Sequence, residues 1–108
     1  MNSDATRIER GTGNVFADLG LADSGERKLR VQLAMELNAV FAERKLTQAA
    51  AATVLGILQP HVSELANYKL TRFSSERLMH FLTRLDRDVD IVVRPARASH
   101  GVITLAHA

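Results

Sequence analysis

Cysteine is absent from the 108 residues, which excludes disulfide frameworks and cysteine-based zinc sites and fits a reducing compartment. Tryptophan is absent as well. One tyrosine (Tyr68) and four phenylalanines leave too few rings for a carbohydrate platform or a stacking surface for single-stranded nucleic acid. No apolar run approaches the roughly 18 to 20 residues a bilayer span needs, so no membrane partner is expected. Residues 1–7 lack the charged start and hydrophobic stretch of a secretory signal, and the expected location is cytoplasmic. A large excess of one charge is missing too. Fourteen Lys and Arg against twelve Asp and Glu give +2, which does not mark a polycation, although the pI of about 9.5 does not argue against a nucleic-acid partner. What remains is a chain of 46% hydrophobic residues, enough to fill the core of one compact domain and too short for two.

The charges divide unevenly. Residues 1–58 hold seven of each sign, while residues 59–108 hold seven basic and five acidic, so the whole excess lies in the second half. Residues 1–14 are polar and aperiodic, as in a flexible tail. Val15, Phe16, Leu19 and Leu21 form a short apolar cluster, either a packed lid or a segment that orders on a partner. From about Asp23, with Glu26 three residues on, capping-box character predicts a helix. Leu29, Leu33, Leu37, Val40 and Phe41 then mark its inner face. Thr47 is placed to cap a second helix that Gly56 stops, and Pro60 to open a third running to about Asn67. Ser74 is placed to cap a fourth, with the stripe Leu78, Phe81, Leu82, Leu85. The period then changes: Val89, Ile91 and Val93 alternate with other residues until Pro95, as in a β-strand, and residues 102–105 are a weaker strand candidate.

Residues 46–67 hold the informative pattern. Two helices joined by so tight a turn cross steeply, as in a helix-turn-helix. That geometry needs a small residue where the helices touch (Ala52), a turn residue tolerant of positive φ (Gly56) and an apolar plug after it (Ile57). In such a unit the second helix enters the DNA major groove by its N-terminal residues. Gln59 is long enough to bond adenine N6 and N7, while His61 and Ser63 offer shorter donors or acceptors. Glu64 can accept from cytosine N4 but equally can repel phosphate. Thr47 and Gln48 open the preceding helix, where backbone N–H groups meet phosphate, and Lys69 and Arg72 follow as counter-charge.

Leu46-Thr47-Gln48, Ala52, Gly56-Ile57, Gln59 and Ser63 together resemble the helix-turn-helix of phage-repressor-like, XRE-type regulators. Residues 14–21, the stretch Lys69-Leu70 with Phe73-Ser74, and residues 88–95 resemble the XRE-type, HigA-like antitoxins of bacterial toxin–antitoxin pairs. The resemblance spans roughly residues 14–95. It implies a homodimer on a palindromic operator that represses its own operon and restrains a RelE/HigB-type ribonuclease toxin. By carry-over, Gln48 is a phosphate contact, Gln59, Pro60, Ser63 and Glu64 lie where base contacts occur, and Asn67 matches a backbone-contacting asparagine. Tyr68 stands where such proteins have glycine, so a local difference at the helix exit is expected. Glu64 replaces the usual basic or amide residue and leaves base preference open. Leu85-Asp86-Arg87 replaces a Leu-Gly pair.

Other chemistries fit poorly. His61, His80, His100 and His107 show no i, i+4 pairing for a metal. Asp86, Asp88 and Asp90 imitate the start of a calcium loop, but its sixth and twelfth positions are Ile91 and Arg97. No serine has a base and an orienting acid at useful spacing, so neither an enzyme nor a cofactor is expected. The expected fold is mainly α, a four- to five-helix repressor-like helix-turn-helix domain with a C-terminal β-strand paired in a dimer. Its parts are a tail (1–14), a DNA-binding domain (15–86) and a β segment for dimerisation (87–108) through Val89, Ile91 and Val93. That strand needs a partner, either residues 102–105 as a hairpin or its equivalent across a two-fold axis, the reading preferred here. The alternatives to an antitoxin are a free-standing repressor without a toxin and an interaction adaptor that has lost DNA binding.

Overall fold

The structure, a computed structural model, describes residues 21–107, and residues 21–24 by their backbone alone. The tail at 1–14 and the apolar cluster of Val15, Phe16, Leu19 and the Leu21 side chain lie outside what is described. Among the described residues there are four helices: α1 (Leu21–Glu43), α2 (Gln48–Leu55), α3 (Gln59–Ala66) and α4 (Ser75–Arg84). Helix α1 begins ahead of the expected Asp23, which therefore falls inside it rather than at its cap.

Each helix forms for a local reason and is held by a shared core. In α1, Glu26 pairs with Arg30 one turn on at 2.7 Å, and Leu33, Leu37, Val40 and Phe41 bury the face their spacing predicts. The Thr47 and Ser74 hydroxyls cap α2 and α4, accepting from the backbone N–H groups of Ala50 (3.0 Å) and Arg77 (3.1 Å). Leu78, Phe81, Leu82 and Leu85 are all buried, completing the stripe predicted for α4. Phe73 lies beneath the loop before α4, edge-on to Phe81 at 5.9 Å, with the Arg77 guanidinium 5.2 Å from its ring centre. Helix α1 packs against α3 and α4, and α2 packs against both as well.

Helix α1 also donates side-chain bonds to carbonyls at or just beyond the ends of its neighbours, two of which, those of Leu65 and Leu70, already accept one backbone N–H each. Asn38 donates to the Leu65 carbonyl (3.2 Å), Arg30 to that of Leu70 (3.2 Å), and Arg44 to that of Leu85 (2.5 Å). Three side chains of α1 thus fix the exits of α3 and α4, and with them the direction in which α3 points.

Those exits are left-handed. Gly56 adopts φ 71° and bonds back to the Ala52 carbonyl, as its sequence position predicts. Lys45 (φ 55°), Tyr68 (φ 58°) and Asp86 (φ 63°) take the same conformation without being glycine. Lys69 N–H donates to Glu64 C=O (2.8 Å) and Tyr68 N–H to Leu65 C=O (3.1 Å). The helix exit expected to differ at Tyr68 therefore keeps the left-handed turn, with tyrosine strained into it.

The C-terminal β-strand is not there. Among the described residues no strand forms, and residues 87–107 are irregular. The alternation at 89–93 is a local pattern, whereas a strand exists only where a neighbour takes its backbone bonds. Residues 102–105 do not pair with it, so the hairpin weighed as the alternative to pairing across a dimer is absent too. Instead the segment is tied down at both ends. Arg87 pairs with Glu43 (2.6 Å) and Val89 packs on the core; Leu105 packs on the core and His107 meets Glu36 (2.7 Å). Between these ties Ile91 and Val93 are exposed, the latter at 92%.

Candidate nucleic-acid interface

Helices α2 and α3 meet through the small and apolar residues their spacing predicts. Ala51, Ala52 and Leu55 of α2 and Val62 and Leu65 of α3 are buried, with Ile57 half-buried between them. At about 100° per residue, burying Val62 and Leu65 turns Pro60, Ser63, Glu64 and Asn67 onto the opposite arc and leaves Gln59 on its flank. Gln59, Pro60 and Asn67 are exposed, and Ser63 and Glu64 half-exposed. His61, expected to face outward, lies at the margin of that arc and is partly covered.

At the start of α2, Thr47 and Gln48 are exposed. The Thr47 hydroxyl uses one lone pair as the cap and keeps its proton as a donor. Asn67 donates its side-chain amide to the Ser63 carbonyl (2.9 Å), so part of its capacity is spent on finishing α3. Lys69 is exposed just beyond.

Arg72 and Glu64 hold the largest difference from expectation. Arg72 Nε donates to Glu64 Oε1 at 2.6 Å and Nη2 to Oε2 at 3.2 Å, a bidentate pair across the exit of α3. The Arg72 hydrogen bonds hold the Glu64 carboxyl below the ordinary carboxylate range, helped by charge from Arg72, His61 and Lys69; the same pair raises Arg72. The expected phosphate cation is therefore bound to the expected base reader. Arg77, through a bond from Nη1 to the Arg72 carbonyl at 3.4 Å, helps fix the loop. No pattern in the sequence pairs residues eight apart across a turn.

The residues named for subunit contact are not brought together. Val89 is half-buried on its own core, while Ile91 and Val93 face outward. Among the described residues no three His, Cys, Asp or Glu side chains gather as a metal site requires. None of the described helices is long and apolar enough to cross a membrane.

Comparison with known proteins agrees with this geometry. A family model described as a helix-turn-helix domain matches residues 15–94. A solved chain named as a candidate XRE family transcriptional regulator is similar at a TM-score of 0.76 and 50% identity, over 80% of this chain and 99% of that one. No curated protein sequence matches.

Proposed function

Because the chain belongs to the XRE-type helix-turn-helix domain family, we propose that it is a sequence-specific DNA-binding transcriptional regulator. The observation that carries this reading is the outward arc of α3, where Gln59, Ser63 and Asn67 line up beyond an exposed helix start. A polar row on the second helix of such a unit is what reads base edges in the major groove. Thr47 and Gln48 at the start of α2 meet phosphate, and Lys69 adds charge to the backbone contact.

The finer reading is an antitoxin that represses its own operon and neutralises a ribonuclease toxin. It is supported by the resemblance of residues 14–21 and 88–95 to HigA-like antitoxins. It acts as a homodimer on a palindromic operator, because one α3 reads only a half-site and a two-fold axis supplies the second. Exposed Ile91 and Val93 offer apolar surface for the subunit contact, without any strand. A neighbouring reading frame for a small basic ribonuclease, whose product co-purifies with this chain, supports the antitoxin role. A chain whose neighbour encodes nothing of the kind is a free-standing repressor.

The test of DNA reading is a titration against the duplex upstream of the chain's own gene and against random duplex, across a salt series. Preference for the first, with affinity falling steeply as salt rises, is the expected result. Gln59→Ala should lose roughly 1–3 kcal/mol of discrimination between the two. Equal weakening on both duplexes removes Gln59 from base reading, and no preference in the native chain overturns the function.

A further inference from the structure

Leu58 is the residue at which α3 begins, and it is the wrong residue for that position by helix chemistry alone. Its backbone is extended (φ −75°, ψ 146°) and its carbonyl accepts from His61 N–H at 2.9 Å. Its side chain makes no cap bond, whereas Thr47 and Ser74 cap the helices on either side. A leucine here forgoes a cap that Ser, Thr, Asn or Asp supplies. It is also left 66% exposed, while Ile57 before it fills the turn and Val62 after it is buried. Neither local stability nor the core accounts for an aliphatic side chain at this point.

Its surroundings supply an account. Leu58 immediately precedes Gln59 and Pro60, both exposed, at the helix end that enters the groove. The one apolar group on the major-groove edge of unmodified DNA is the 5-methyl of thymine, and aliphatic side chains recognise it by contact. We propose that Leu58 is a specificity-determining residue that packs on a thymine methyl beside the base bonded by Gln59. The inference rests on the DNA-binding function proposed above and extends it to a residue that the pattern of polar side chains passes over. The held backbone at Leu58, fixed by the first bond of the helix, gives that contact a defined position.

The experiment uses the full chain and a synthetic duplex of the upstream region, which contains no 5-methylcytosine, so that any methyl effect belongs to thymine. Each thymine is replaced in turn by deoxyuridine, which removes the methyl and keeps the pairing. The native chain should show a position in each half-site where this weakens binding about fourfold, the value of one buried methyl. Leu58→Asn and Leu58→Ala should bring the ratio at that position close to one. Leu58→Asn should at the same time raise the melting temperature, because it restores the cap, so a lost ratio cannot be blamed on unfolding. A native chain that prefers its upstream duplex yet ignores every deoxyuridine overturns the inference and leaves DNA reading intact. Unchanged ratios in both variants overturn it as well. A native chain with no preference for its own duplex removes the function beneath it.

Discussion

Glu64 and Arg72 both border the face proposed to meet DNA, and their pairing decides what each is able to do there. A carboxylate held by two guanidinium bonds accepts poorly from a base, and a guanidinium so held is a weakened phosphate ligand. Glu64 thus positions the loop after α3 and restrains the charge that the loop presents. Glu64→Gln should release Arg72 and steepen the dependence of DNA affinity on salt by close to one unit of slope, about 0.9 per phosphate gained. A slope equal to that of the native chain shows that Arg72 never reaches the backbone. The same pair gives a pH signature of known sign. Because folding lowers the Glu64 pKa, its contribution is complete above the ordinary carboxylate value and is lost as pH falls through the lowered one. Melting temperatures of the native chain and Glu64→Gln should therefore differ at neutral pH and converge on acidification. Both groups face solvent, so the difference is small.

Helix ends show how the elements are made, and where their making escapes the sequence. Thr47, Ser74 and Gly56 were legible, because hydroxyl caps and a glycine stop are local chemistry that single residues express. The left-handed exits at Lys45, Tyr68 and Asp86 were not, because no glycine marks them. They are imposed from outside, by the burial of Leu46, Leu70 and Leu85 around each turn and by the carbonyl bonds from Arg30, Asn38 and Arg44 of α1. Tyr68 tests this account. A non-glycine residue in that conformation costs roughly 1–2 kcal/mol, and glycine returns about 0.4–1 kcal/mol of that through the freedom it gives the unfolded chain. Tyr68→Gly should stabilise the fold by about 1 kcal/mol or somewhat less, read as a rise in the denaturant midpoint without change in slope. A loss of stability means the half-exposed ring makes contacts that outweigh its strain. The outward placement of the polar residues of α3 was legible for the same reason as the caps, since burying Val62 and Leu65 leaves Gln59 and Ser63 toward solvent. The C-terminal strand failed because its alternating pattern states only which side chains would share a face, not whether a neighbouring strand is present.

At the scale of the molecule, one chain is a folded unit that supplies one half of the proposed function. Its core is closed by residues between Leu33 and Leu85, with Val89 and Leu105 added at the margin. Ile91 and Val93 take no part in that closure, yet they stand exposed between two ion-paired anchor points. An exposed pair of aliphatic side chains on a segment held at both ends is available to a second subunit, which is the role proposed for them. Fold stability and assembly are then separable. Replacing both residues by serine removes little buried surface, so the stability of the single chain should stay within the range of surface substitutions, about 0.5 kcal/mol either way. Sedimentation velocity should show the native chain as a dimer and the double variant shifted to monomer at the same concentration. On DNA, the variant should bind an isolated half-site as the native chain does and lose the gain that a second, correctly spaced half-site provides, because only a tethered second α3 supplies it. A variant that remains dimeric moves the subunit contact elsewhere on the surface. One that is monomeric but still binds both half-sites together as tightly as before shows that the operator itself holds the two copies in place.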